Sequence, residues 1–160
     1  MNEMPRTLKV VTVWLLLGTV LFLAVQAFLA ERQRTQFSAG GGGEITLRRA
    51  YDGHFHWPGQ VDGRSIDFLV DTGATRTALP GRLASQLGLQ PEREVRSSTA
   101  GGVVTGYEAR VDLVLEGGVA VQRLRVTVLP DLASPLLGMD VLGRLHFTQQ
   151  DGLLRIRPGG

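Results

Sequence analysis

The sequence predicts an all-β domain, a closed barrel of short strands with one or two short helices, preceded by an N-terminal transmembrane helix. Three observations predict it. Between residues 44 and 160, short apolar runs alternate with turn dipeptides at Asp62-Gly63, Gly117-Gly118 and Asp151-Gly152. Only two brief segments in that stretch read as helix rather than strand. Ahead of it, Val10 to Ala30 is an uncharged run of 21 residues.

At 1.5 Å rise per residue, that run matches the roughly 30 Å hydrocarbon thickness of a bilayer. It exceeds the apolar core of a secretory signal, about 7 to 15 residues, although Val25-Gln26-Ala27 has the small-residue pattern of a cleavage site. A soluble helix apolar on every side needs a larger core around it than this chain provides. Arg6 and Lys9 before the run balance Arg32 and Arg34 after it, so the free amino terminus tips the orientation. The expectation is a single pass through the cytoplasmic (inner) membrane of a bacterium, with a nine-residue tail inside and the folded domain in the periplasm. Residues 31 to 43, polar and then Gly-rich from Gly40 to Gly43, have the composition of a flexible tether.

The domain proper then runs from residue 44 to 160. Ile45 to Arg49 and His54 to Val61 read as strands, and Asp62-Gly63 turns the chain into a strand from Ser65 to Val70. Pro80 suits the first position of a helix whose face is Leu83, Ala84 and Leu87, and Gly88 ends it. Glu94 to Tyr107 forms a hairpin with a pliable tip at Ala100-Gly101-Gly102. Strands at Glu108 to Leu115 and Val119 to Leu129 follow, joined by Gly117-Gly118. Pro135 to Leu142 leads into a second short helix, and a hairpin turning at Asp151-Gly152 closes the chain.

The chemistry concentrates at Phe68-Leu69-Val70-Asp71-Thr72-Gly73-Ala74-Thr75. An apolar strand delivers one carboxylate onto a glycine turn, where backbone N–H groups approach its oxygens. This segment resembles the active-site loop of the retropepsin-like (retroviral-type) aspartic proteases, whose Asp-Thr-Gly-Ala stands unchanged at Asp71 to Ala74. In that family a glycine-tipped flap follows, then an apolar-apolar-Gly segment that crosses behind the loop and opens a helix. Here Gly101 lies 30 residues after Asp71, and Leu136-Leu137-Gly138 lies 35 to 37 residues beyond Gly101. The resemblance spans about Tyr51 to Leu145, and it looks closer to bacterial single-domain anchored members than to viral enzymes.

The resemblance implies a retropepsin-like barrel with Asp71 as catalytic carboxylate, Thr72, Gly73 and Ala74 as loop support, Ala100, Gly101 and Gly102 as flap, and Gly138 behind the loop. It implies an endopeptidase acting on protein or peptide, without cofactor or metal. With one Asp-Thr-Gly and about 117 domain residues, the second carboxylate must come from a homodimer partner. A largely apolar substrate pocket is expected, with Ala74, Val103, Val104, Leu136 and Leu137 as candidate lining. Viral members carry an acidic residue after the Asp-Thr-Gly-Ala run and an Arg after the later Gly, and these pair. This chain has Thr75 and Met139 there, so both partners are replaced together.

Charge excludes other classes. From residue 44 onward, 13 Arg oppose 13 Asp plus Glu, and no basic stripe interleaved with aromatics supports nucleic-acid binding. Without cysteine there is no disulfide or thiol chemistry. The lone lysine, Lys9, precedes the apolar run, which disfavours a phosphoryl-transfer Asp loop. His54 and His56 share a strand face, but His146 is distant and no acidic cluster completes a metal site. Runs such as Glu92-Arg93-Glu94 read as a solvated face. A tethered peptide-binding module that keeps the fold without cutting, and cleavage of the chain's own tether near Gln36 to Ala39, stay open.

Overall fold

The computed structural model describes residues 6–32, 36–39, 43–99 and 101–158. The chain divides into two compact units, Met1–Arg34 and Thr35–Gly160. The described part of the first is one helix, α1 (Arg6–Arg32). Its described side chains, residues 10–26, are all exposed, Trp14 at 70% among them. Among the described residues, no helix is long and apolar enough to cross a membrane.

The second unit contains eleven described strands and two short helices: β1 (Gln36–Ala39), β2 (Ile45–Arg48), β3 (His56–Val61), β4 (Arg64–Val70), β5 (Ala78–Pro80), α2 (Gly81–Gln86), β6 (Arg93–Thr99), β7 (Gly102–Leu115), β8 (Val119–Leu129), β9 (Leu136–Leu137), α3 (Met139–Leu142), β10 (Leu145–Gln150) and β11 (Leu153–Pro158). In space, six of them follow the order β8-β5-β9-β4-β3-β7, and β7 pairs back onto β8 to close a barrel. β1 and β6 extend this sheet at its two ends, and β10, β11 and β2 form a separate three-stranded sheet.

The turn dipeptides do what their chemistry requires. Asp62-Gly63 and Asp151-Gly152 take positive φ at both positions (49° and 80°, 52° and 72°), matching the right-handed twist of the strands they join. The alternation of the strands then sorts side chains, so that Trp57, Phe68, Leu113, Leu115 and Leu137 are fully buried. The Trp57 indole N–H donates to the Glu116 carbonyl at 2.9 Å.

Three expectations need correction. Gln36–Ala39, assigned by composition to a flexible tether, instead form β1, paired antiparallel with Val119 to Gln122 of β8. The strand expected from Glu108 onward is continuous with the hairpin arm before it, because no turn residue separates Tyr107 from Glu108; β7 runs 14 residues. β5 was not anticipated, since three residues carry no period; it exists because β8 and β9 flank it. The helix expected after Pro80 does form, with Pro80 as its N-terminal capping residue and Ala84 fully buried.

The segment that positions the site is β9. It lies parallel to β4, pairing Leu136 with Leu69 and Leu137 with Val70. Gly138, which follows, passes against the backbone between Arg76 and Thr77: a β-carbon there would stand 2.6 Å from the Arg76 carbonyl oxygen and 2.7 Å from the Thr77 nitrogen. Backbone cannot move aside as a flexible side chain would. Gly138→Ala is therefore expected to destabilise the domain by about 1–3 kcal/mol or more, as overpacking against fixed atoms does. Denaturant unfolding midpoints of the two proteins check this.

Candidate active site

Asp71 is the first residue past β4, and the alternation of that strand brings it to the barrel's end half-buried. Its own N–H donates to the Leu137 carbonyl at 3.0 Å, extending the β4–β9 ladder by one rung. The Gly73 N–H donates to Asp71 Oδ1 at 2.8 Å. The Ala74 N–H returns to the Asp71 carbonyl at 3.2 Å, and the Met139 N–H donates to the Ala74 carbonyl at 2.8 Å. The carboxylate thus sits on a turn pinned at both ends, while Thr72 and Gly73 remain exposed.

Two residues that sequence reasoning passed over complete this base. Thr77, 1% exposed, donates from its N–H and its hydroxyl to Asp140 Oδ1, at 2.9 and 2.8 Å. The Gly138 N–H donates in turn to Thr77 Oγ1 at 3.2 Å. The active-site loop is thereby tied to the segment behind it, although Thr75 and Met139 lack the pair seen in viral members. The signal was legible only as a threonine six residues past Asp71 and an acid two past Gly138.

A cleft of about 690 Å³ opens beside Asp71. Ala74, Leu136, Leu129 and Leu132 line it on one side, and Arg93, Val95, Arg96, Ser97 and Ser98 of β6 on the other. Of the expected lining, Ala74 and Leu136 are present. Leu137 is not, because neighbours on a strand face opposite sides, and it is fully buried in the core. Val103 is 61% exposed near the hairpin tip, and neither it nor Val104 lines the cleft; the β6 arm does. Of the expected flap, Gly101 is an exposed turn residue between β6 and β7, Gly102 opens β7 opposite Thr99, and Ala100 lies outside the described residues.

The cleft keeps the largely apolar lining expected from sequence, and five ionisable residues, Asp71, Arg76, Arg93, Arg96 and Glu108, are set into it. Glu108, 4% exposed, accepts from Arg76 at 2.6 Å and Arg93 at 3.0 Å on Oε1, with Arg125 Nε 3.8 Å from Oε2. Burial opposes its charge, but the Arg93 hydrogen bond and the fields of Arg93, Arg76 and Arg125 outweigh it and hold the carboxyl below its usual range. Arg93, within a run read as a solvated face, is thus tied to a buried acid. Elsewhere, His56 is held between Asp52 and Asp67 at 2.9 Å each. Among the described residues, no group of three His, Cys, Asp or Glu is placed to hold a metal ion.

A carboxylate whose folded pKa is depressed contributes stability above its unfolded value of 4.5, and that contribution is lost as pH falls through the folded value. Glu108→Gln is expected to lower neutral-pH stability by about 1–3 kcal/mol, since three guanidiniums lose their shared acceptor. It is also expected to flatten the decline in unfolding midpoint between about pH 6 and pH 3. An unchanged acid slope in the variant would place that dependence on other carboxylates.

Comparison with known proteins agrees with this geometry. Residues 57–144 match a family model described as "gag-polyprotein putative aspartyl protease". A curated Sinorhizobium relative, the uncharacterized protein in the cobV 5' region, is 32% identical over 111 residues, which cover 66% of this chain; the chain spans about half, 48%, of that relative's length. The crystal structure of a retropepsin-like aspartic protease from Rickettsia conorii superposes with a TM-score of 0.60 at 33% identity, covering 71% of this chain and 98% of that one. EIAV protease complexed with the inhibitor HBY-793 gives 0.48 at 21% identity, covering 58% and 88%. With the matched model spanning β3 through α3 and containing the Asp71 loop, the chain belongs to the retropepsin-like aspartic protease family.

Proposed function

We propose that this protein is a membrane-anchored aspartic endopeptidase that works as a homodimer, with Asp71 of each protomer forming one catalytic pair. The observation that carries this reading is the half-buried Asp71 carboxylate, held by the Gly73 N–H at 2.8 Å at the mouth of a cleft. One protomer supplies one such group among the described residues. Two carboxylates brought to about 3 Å cannot both ionise, so the pair shares a proton. The ionised member draws a proton from a water held between them, and the protonated member donates to the scissile carbonyl oxygen. Water oxygen bonds to the carbonyl carbon, and the tetrahedral intermediate collapses with the proton passed to the leaving amine. Thr72, exposed on the loop, is suited to join the two loops across the dimer axis. The β6–β7 hairpin is suited to close over an extended peptide and offer it backbone hydrogen bonds.

Anchoring is supported by the uncharged run Val10 to Ala30 within the 27-residue α1, and by the exposure of every described apolar side chain on it. Such a helix leaves apolar surface unpartnered on all sides, which a bilayer relieves. We place the barrel on the periplasmic side, and confinement to a membrane raises the effective concentration of a second copy.

Purified full-length protein is expected to cleave a mixed peptide library between about pH 4 and 7, and Asp71→Asn to lower that rate about a thousandfold while leaving unfolding midpoint and dimer mass unchanged. Equal cleavage by the variant would remove Asp71 from the chemistry. A folded wild type that binds peptides and cuts none would instead identify a tethered binding module. In cells, the full chain is expected in the membrane pellet after alkaline carbonate extraction, and a form lacking residues 1–34 in the supernatant. Extraction of the full chain would refute the anchor.

A further inference from the structure

Arg76, Arg93, Arg96 and Glu108 line the same cleft as Asp71, yet the peptide-bond chemistry above uses none of them. We propose that this cleft selects peptides carrying an acidic side chain near the scissile bond, and that Arg76, Arg93 and Arg96 bind it. The proposal rests on the peptidase reading and names its substrate class.

The argument is one of stoichiometry and exposure. Each guanidinium presents five N–H donors in a planar fork. Among the described residues, Arg76 and Arg93 each place one donor on Glu108, both on the same oxygen. Arg96 makes no ion pair there. Glu108 is buried behind them, while the Arg76 and Arg93 side chains are 46% and 63% exposed. The acid therefore orients two guanidiniums without exhausting them, and their remaining donors are open to the cleft. An oriented fork of this kind takes a carboxylate bidentately.

Charge points the same way. Three cations line the cleft against Glu108 and Asp71, and low-dielectric walls concentrate the surplus field. Ser97 and Ser98, also in the lining, add hydroxyl donors that suit an anion. A lysine or arginine of a substrate would meet like charge in the same place. Since Asp71 itself repels an adjacent anion, the acidic position falls one or more residues away from the scissile bond, toward β6.

The test uses two decapeptide libraries, identical except that every Asp and Glu of the first is Asn or Gln in the second. Wild-type full chain in nonionic detergent is assayed for cleavage, and Asp71→Asn for peptide retention without turnover. Enrichment of Asp or Glu at one position is expected, with about a tenfold preference over the matched amide peptide. That ratio should narrow in Arg76→Gln and in Arg96→Gln, the latter having no ion pair to lose, and should shrink as salt is raised. Equal retention of the two libraries by Asp71→Asn overturns the proposal whether or not the wild type cuts. So does a preference untouched by either arginine substitution. Preferential retention of the acidic library without any cleavage would uphold the acidic selectivity while refuting the peptidase reading, so the two failures are separable.

Discussion

The parallel pairing of β4 with β9 is the constraint on which the rest of the site depends. Its hydrogen bonds include those from the Leu69 N–H to the Pro135 carbonyl and from the Asp71 N–H to the Leu137 carbonyl. Parallel neighbours cannot be joined by a tight turn, so the chain must leave β4, build α2, the β6–β7 hairpin and β8, and then return. That return closes the barrel and lays Gly138 against the backbone of the active-site loop. A loop that would otherwise be free at its far side is thereby fastened along its length, through Ala74 to Met139 and through Thr77 to Asp140. Exposed Thr72 and Gly73 are then presented from a rigid base, the arrangement in which a loop carries chemistry well.

The same return explains how the site tolerates the loss of the viral charge pair at Thr75 and Met139. The Thr77 hydroxyl and the Asp140 carboxylate do the fastening one to two residues further along each segment. This bond is buried on the threonine side and needs no cation. The arginine next to the loop is released for another task, and Arg76 reaches Glu108 instead. Glu108 alone among the described acids is more than nine-tenths buried, and it is held charged by three arginines from three different stretches of chain. Removing a single partner from such a cluster costs more than the pair is worth in isolation, so the cluster constrains which side chains the cleft can present.

Much of this was readable from local chemistry. Asp62-Gly63 and Asp151-Gly152 dictated their turns because few residues tolerate positive φ twice in succession. Asp71-Thr72-Gly73, preceded by an apolar strand and followed at the right distance by Leu136-Leu137-Gly138, announced both loop and backing segment. What failed was reading composition as conformation. Gln36–Ala39 looked like tether because polar and small residues surround it, yet the open edge of β8 supplies partners that no local pattern reveals. Leu137 looked like pocket, and strand alternation turns it into the core.

By itself, then, the sequence determined the strands other than β1 and β5, their turns, the carboxylate-bearing loop and the apolar N-terminal helix, because each follows from contacts within a few residues. Only the tertiary structure decided that Arg76, Arg93 and Arg125 meet on Glu108, that Thr77 finds Asp140, and that the apolar cleft beside Asp71 also carries three arginines. These pairings join residues 15 to 63 positions apart, and side chains that distant become neighbours only when barrel closure fixes which strands are adjacent.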